Sequence, residues 1–311
     1  MEKMSRGRFL QHAGVLATLC LVPRGIFAKE SPVIGIKREA ANARIVVEAL
    51  RGNVNVLQGS GGNITLYHGT DGILMVDAGI AGSQGNILPA IRTITEAPVK
   101  YLINTHWHFD HTDGNAWIHN AGASIIAHEN TLKNLSKNIA IPEWDYTFPP
   151  APAAALPTTV FRKEMKLEFN GSEIRMKHYQ HAHTDSDISV YFPEADVLSV
   201  GDTWWNGIYP FIDHNSGGGI DGMIEASNRN LEIATNKTII IPGHGAVGNR
   251  SQLMEFRDML AAVRENISNL KRSGRSLVET VAAKPTASFD GKWVTFGIDT
   301  AAFIKIIYTD V

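Results

Sequence analysis

Between residues 45 and 76 the apolar positions fall in short runs set apart by glycine-rich punctuation: Ile45-Val46-Val47, Val54-Asn55-Val56-Leu57, Asn63 to Tyr67 and Ile73 to Val76. Runs of this length predict the strands of one sheet. Thr70-Asp71-Gly72 reads as a hairpin turn and Asp77-Ala78-Gly79 as the end of the last strand. The pattern then alternates, with a helix over 86–96, a strand over 99–104, a short helix over 111–120, a strand over 124–127 and a helix over 129–137. Such alternation implies α/β organisation. Pro142, Pro149, Pro150, Pro152 and Pro157 leave 139–158 little room for regular structure and predict a long loop able to cover a site. A second half follows, with a hairpin through Asn170-Gly171, strands over 188–192 and 197–200, a helix near 221–234 and a buried strand over 238–241. Leu253, Phe256, Leu260, Val263, Ile267 and Leu270, three and four apart, predict a long helix capped by Asn249 and ended at Gly274, its apolar stripe serving the core. With no internal repeat, residues 29–311 read as one domain.

The first 28 residues follow a different pattern. Lys3, Arg6 and Arg8 precede an uncharged, mostly apolar run from Ala13 to Val22, and Ile26-Phe27-Ala28 offers a small residue for cleavage. That order predicts a secretory signal peptide, and the run is shorter than the ~20 residues a membrane span needs. Ser5-Arg6-Gly7-Arg8-Phe9-Leu10 resembles a twin-arginine signal with Gly7 in place of the second arginine, so export by that route or by general secretion is expected, to the periplasm or outside the cell. The only cysteine, Cys20, would leave with the leader, so no thiolate serves the mature protein. Hydrophobic residues make up 44% and charged ones 19% of the chain, enough apolar material for a sizeable core. The net charge of −2 becomes −5 once Lys3, Arg6, Arg8, Arg24 and Glu2 are removed, and no basic footprint for nucleic acid remains.

Three of the twelve histidines crowd into Thr105-His106-Trp107-His108-Phe109-Asp110-His111, directly after an apolar strand. Alternation along an extended segment puts His106 and His108 on one side, and Asp110 and His111 follow where the chain turns into the next helix. These groups can converge on two adjacent metal positions. Imidazole and carboxylate suit zinc, with iron or manganese open at the same geometry.

In this position the motif resembles that of the metallo-β-lactamase fold superfamily, and three further matches follow in order. They are His183 in Ala182-His183-Thr184-Asp185, Asp202 in Val200-Gly201-Asp202-Thr203, and His244 in Ile241-Pro242-Gly243-His244-Gly245. The resemblance, running from about residue 54 to 270, implies an αββα four-layer sandwich: two mixed sheets face to face, with helices outside. It also implies that His106, His108 and His183 hold one zinc ion and Asp110, His111 and His244 another, with Asp202 bridging. A bridging aspartate, in place of cysteine or serine, resembles the glyoxalase II, lactonase and quinoprotein-relay-associated branches. Gly207-Ile208-Tyr209-Pro210-Phe211-Ile212-Asp213 resembles the last of these.

A water shared by two divalent ions is acidified toward neutrality and becomes a nucleophile. Asp110 is the expected catalytic residue, a ligand whose free oxygen orients that water and carries a proton to the leaving group. The expected activity is zinc-dependent hydrolysis of a small ester-like, thioester or lactone substrate, with a β-lactam as the chief alternative. A non-catalytic metal-binding accessory of a periplasmic redox system, and an iron oxidoreductase, are answers of other classes. Thr105, Thr184 and Asp185 are candidates for orienting the imidazoles. Trp107, Trp204, Trp205 and Tyr209 are candidates for a substrate wall, the Tyr209 hydroxyl as an oxyanion donor, with aromatic packing beneath a loop as the equal alternative. His181 is the nearest rival to His183.

Overall fold

The computed structural model describes residues 30–295 and 298–311; the expected leader lies outside them. A short helix α1 (Pro32–Glu39), capped by Ser31, leads into four antiparallel strands: β1 (Val46–Ala49), β2 (Val54–Gln58), β3 (Ile64–Gly69) and β4 (Gly72–Val76). Helix α2 (Gln84–Arg92) crosses to β5 (Val99–Ile103), and α3 (Phe109–Thr112) with α4 (Asn115–Asn120) crosses to β6 (Ser124–His128). After α5 (Glu129–Leu135) a small hairpin of β7 (Ile139–Ile141) and β8 (Tyr146–Phe148) precedes β9 (Thr159–Phe161). Strands β4, β5, β6 and β9 run parallel, so the first sheet is mixed, in the order β1-β2-β3-β4-β5-β6-β9.

The second sheet takes β10 (Glu164–Phe169), β11 (Ser172–His178), β12 (Ile188–Phe192) and β13 (Val197–Ser199) in antiparallel order. Helix α6 (Ile220–Ile233) returns the chain to β14 (Ile239–Ile241), parallel to β13, and β15 (Gly248–Asn249) closes the edge. Three helices follow: α7 (Arg250–Arg272), α8 (Leu277–Ala282) and α9 (Thr300–Asp310). Among the described residues no helix is long and apolar enough to cross a membrane.

Alternate residues of each central strand face different layers. Leu74 and Val76 of β4 point between the sheets, where they meet Ile103, Ile126, Ile188, Val190 and Ile241. Ile73 and Met75 point the other way, onto Ile87 and Ile91 of α2 and Ile118 of α4. Leu198 and Ile240 of the second sheet face Met223 of α6 and Leu253, Phe256, Leu260 and Val263 of α7. Strands covered on both faces are therefore apolar throughout, and the four layers are the expected αββα sandwich.

Three local expectations are corrected. The helix over 111–120 is two short helices, 109–112 and 115–120, joined through Asp113 and Gly114, where a side chain on Gly114 would collide with the Ala78 carbonyl. The helix expected over 86–96 spans 84–92. The prolines of 139–158 do not exclude regular structure, since Pro142 opens the hairpin turn and Pro149-Pro150 follows β8. Leu74 is fully buried, so Leu74→Ala should lower unfolding stability by about 2–5 kcal/mol, read from urea denaturation; a change under ~1 kcal/mol contradicts its place in the core.

Candidate metal centre

Parallel strands end together, and the chemistry sits where they end. Val76 pairs with Ile103 and Ile103 with Ile126, so Asp77 and Thr105 to His108 leave the first sheet at one edge. Ser199 pairs with Ile241, which brings Asp202 and His244 out of the second sheet side by side. His183 comes from the connection between β11 and β12, and Asp110 and His111 from the first turn of α3. The two sheets are tied at this edge by Ile188 N donating to Thr105 O at 2.8 Å and by Asn63 Nδ2 donating to the carbonyls of Pro242 (2.8 Å) and Gly245 (2.9 Å). Gly243 is required here, because a Cβ would collide with Asp202 Oδ1; likewise a Cβ on Gly62 would strike the His111 ring.

All seven expected ligands are brought together, in two groups that could each hold an ion: His106, His108, His183 and Asp202 in one, Asp110, His111 and His244 in the other. Asp202 stands between them. Its Oδ1 lies 3.1 Å from His111 Nε2, and its Oδ2 lies 3.4 Å from His183 Nε2, 3.4 Å from His244 Nε2 and 3.9 Å from His106 Nε2. Asp110 Oδ2 lies 3.2 Å from His244 Nε2 and 3.5 Å from His111 Nε2. Six of the seven are buried, and Asp110 is the one partly open to solvent. His181 is exposed, bonds Gly217 O through Nδ1 and belongs to neither group.

Acceptors behind the rings fix which nitrogens face inward. His111 Nδ1 donates to Asp77 Oδ2 (2.7 Å), His108 Nε2 to Asp213 Oδ2 (3.0 Å) and His183 Nδ1 to Phe211 O (2.7 Å). The Thr105 hydroxyl donates to Asp77 Oδ2 and lies 3.1 Å from His106 Nδ1, from which it accepts. Lone pairs on His106, His111 and His183 Nε2 and on His108 Nδ1 then converge. His183 Nε2 and His108 Nδ1 are 2.8 Å apart, an arrangement that neutral rings of these tautomers do not tolerate without a positive charge nearby. His106 Nε2 is buried with no hydrogen-bond partner, and His111 Nε2 and Asp202 Oδ1 have only each other at 3.1 Å, a costly arrangement that a divalent cation relieves. The donor set therefore fits metal ions.

Thr105 holds the place expected of it, but Thr184 and Asp185 do not orient ligand rings. Thr184 bonds Asp187 through both its amide and its hydroxyl, and Asp185 Oδ1 accepts from Asn134. Asp77 and Asp213 take that role. Both stand in patterns read for other reasons, Asp77 at the end of a strand and Asp213 as the last residue of the Gly207 to Asp213 run, and nothing in sequence order shows a carboxylate reaching a histidine 34 or 105 residues away.

Charge is divided unequally. Burial, then the cation at His111, pushes His106 well below the ordinary value of 6.5, and burial takes His183 down to about 4. Burial also opposes charging His244, but Asp202 and Asp110 outweigh it and raise the ring to about 9; with Asp77 added, the same balance raises His111 well above 6.5. Burial raises Asp110, yet His111 and His244 prevail and bring it to about 2. Without metal, protons on His111 and His244 supply the positive charge.

The proposed substrate wall is mostly packing. Trp204 is fully buried, and Trp107 lies edge-on behind His108 with Nε1 donating to Ser216 Oγ at 3.0 Å. Tyr209 is buried, stacks on Phe303 and donates its hydroxyl to Asp290 at 2.8 Å, so it offers no oxyanion donor to the centre. Trp205 stacks on His244 at 4.2 Å between ring centres. Trp144 and Phe148 of the β7–β8 hairpin, unread in the sequence, complete the surround: Trp144 lies 5.1 Å from His108 and 4.9 Å from Phe211, and Phe148 lies 5.5 Å from Trp107.

A family model described as the metallo-beta-lactamase superfamily matches residues 57–245, and the chain belongs to that superfamily. A curated relative, 2,4-dinitroanisole O-demethylase subunit alpha of Nocardioides sp. (strain JS1661), is 25% identical over 186 residues, covering 59% of this chain and 53% of its own. The chain thus spans about half the length of that relative. Among solved structures, a double mutant of the sec-alkyl sulfatase PisA1 has a TM-score of 0.67 at 16% identity, covering 95% of this chain and 54% of its own. A metallo-beta-lactamase from Pontibacter korlensis has a TM-score of 0.56 at 18% identity, covering 70% of this chain and 99% of its own. At these identities the structural likeness is one of fold.

The raised imidazoles give a pH signature. In the metal-free protein His244 contributes stability that is complete below about 6.5 and lost as pH climbs through about 9, so the metal-free Tm should fall across that window. Zinc needs the unprotonated rings, so its affinity should rise over the same window and its binding at neutral pH should release protons. Titration calorimetry in buffers of different ionisation enthalpy counts them; binding without proton release contradicts the assignment.

Proposed function

We propose that this protein is an exported dinuclear zinc hydrolase that cleaves a small ester-like, thioester or lactone substrate. The observation that carries the reading is Asp202, whose two oxygens face both ligand groups at once. In this reading His106, His108 and His183 hold one ion, Asp110, His111 and His244 the other, and Asp202 is shared. Five imidazoles and two carboxylates without a thiolate favour zinc, and iron or manganese fit the same donors. Two such ions, when bound, lower the pKa of a water at the centre and polarise the oxygen of the scissile group.

The chain's own part follows from position. Asp110 is the most accessible of the seven and, with its pKa held near 2 against burial by His111 and His244, is a carboxylate at any working pH. It orients the attacking water, accepts its proton and returns it to the leaving oxygen or sulfur as the acyl bond to that atom breaks. Asp77, Asp213 and the Phe211 carbonyl keep the rings in register, and the aromatic surround excludes bulk water. A complete ligand set argues against a non-catalytic accessory. The relatives' names describe an O-demethylase, a sulfatase and a β-lactamase, so the fold does not choose the substrate. Export is supported by the charge, apolar and small-residue order of residues 1–28; secreted material beginning after Ala28 is the expected result, and an intact N-terminus contradicts it.

Metal analysis should find two zinc ions per chain, and hydrolysis of lactones, thioesters and aryl esters should disappear on chelation and return with zinc. Asp110→Asn should lower kcat by about 10²–10⁴-fold and weaken the second ion. Full activity in that variant, or activity in stripped protein, contradicts the mechanism.

A further inference from the structure

The first metal position leans on a segment that supplies none of its ligands. Residues 213–219 are bonded to both His108 and the connection that carries His183. Asp213 Oδ2 accepts from His108 Nε2 at 3.0 Å and from Ser216 Oγ at 2.6 Å, and Ser216 Oγ in turn accepts from Trp107 Nε1 at 3.0 Å. Three main-chain bonds complete the tie: Asp213 N to His183 O (2.9 Å), Gly219 N to Ala182 O (2.9 Å) and Asp185 N to Ser216 O (2.7 Å). Glycine is required at 218, because a Cβ there would collide with the His183 carbonyl. The second position has other supports, Asp77 behind His111 and Trp205 against His244.

The far end of this segment is held by a residue 90 positions along the chain from Ile220. Gly219 is the N-cap of α6 and has no side chain to offer the helix's first amides. The Asp310 carboxylate, in the last turn of α9, takes that place. Its Oδ2 accepts from Ile220 N at 2.8 Å, and its Oδ1 lies 3.0 Å from His214 Nε2. One carboxylate thus meets the positive end of a helix and an imidazole together. Asp310 raises His214 above its ordinary 6.5, with burial opposing, and the two side chains are only 20% and 28% exposed, so water does not fully screen the pair. The anchor behind Asp310 is firm: Phe303, Ile304 and Ile307 of α9 are buried in the core, and Lys271 Nζ of α7 donates to the Tyr308 carbonyl at 2.9 Å.

We propose that Asp310 is a positioning residue for the first metal ion, fixing segment 213–219 so that His108 and His183 stay aligned on one point. This rests on the two-ion reading above and adds that its two halves are supported separately. A change at Asp310 acts on the position held by His106, His108 and His183 and spares the one held by Asp110, His111 and His244.

The test measures zinc affinity by chelator competition in the mature chain carrying one of two background substitutions. His244→Ala leaves the first position its three imidazoles, and His183→Ala leaves the second position complete. Adding Asp310→Ala should weaken zinc about three- to tenfold in the first background, less than the ~10–100-fold typical of a residue that touches a ligand, and should leave the second unchanged. Asp310→Asn, which keeps an acceptor for Ile220 N and loses the charge facing His214, should recover part of the loss. Equal weakening in both backgrounds, as a general loss of stability would give, or no weakening in the first, overturns the proposal. If the parent chain binds no zinc, the two-ion reading fails, and amide exchange in the metal-free protein, followed by NMR, decides the role of Asp310. Faster exchange at Asp185, Asp213 and Gly219 in Asp310→Ala supports it, and a change confined to Ile220 and α9 overturns it.

Discussion

A buried carboxylate surrounded by four imidazoles is the constraint on which the rest of the molecule depends. Asp202 is almost wholly shielded from water, and its oxygens face His106, His111, His183 and His244. An anion in such a place costs several kcal/mol unless positive charge is delivered to it from several directions. No single strand or helix can do this. The imidazoles come from both sheets, and the edge where parallel strands end is where two sheets can present loops to one point.

That requirement explains features which look incidental one at a time. Gly243 and Gly62 let backbone pass against Asp202 and His111. Asn63 and Thr105 bind one sheet to the other beside the ligands, so the geometry belongs to the sandwich and not to a loop. Asp77 and Asp213 answer the outward nitrogens of His111 and His108 and thereby turn their lone pairs inward. The aromatic surround contributed by Trp144, Phe148 and Phe211 keeps the dielectric low, which strengthens every charge interaction inside it.

Much of this was legible in order along the chain. Short apolar runs set apart by glycines marked β2 to β4, and the three-and-four spacing marked α7 with its Asn249 cap and Gly274 stop. His106, His108, Asp110 and His111 announce themselves by local spacing, while His183, Asp202 and His244 emerge only through the family resemblance, since each is unremarkable in its own neighbourhood. What sequence order hides is contact across distance. Tyr209 follows the Asp202 turn closely, yet its hydroxyl turns to Asp290, whereas Trp144, far from the motif, lies against His108. The proline count of 139–158 suggested irregular chain, but proline is compatible with strand ends and turn starts, and a hairpin forms between them.

Anomalous diffraction at the zinc edge, from crystals of the zinc-loaded protein, tests the central claim most directly. Two peaks are predicted on either side of Asp202, each about 2.0–2.2 Å from its ligands: His106, His108 and His183 for one, Asp110, His111 and His244 for the other. A single peak, or an Asp202 carboxylate in contact with neither ion, would contradict the account.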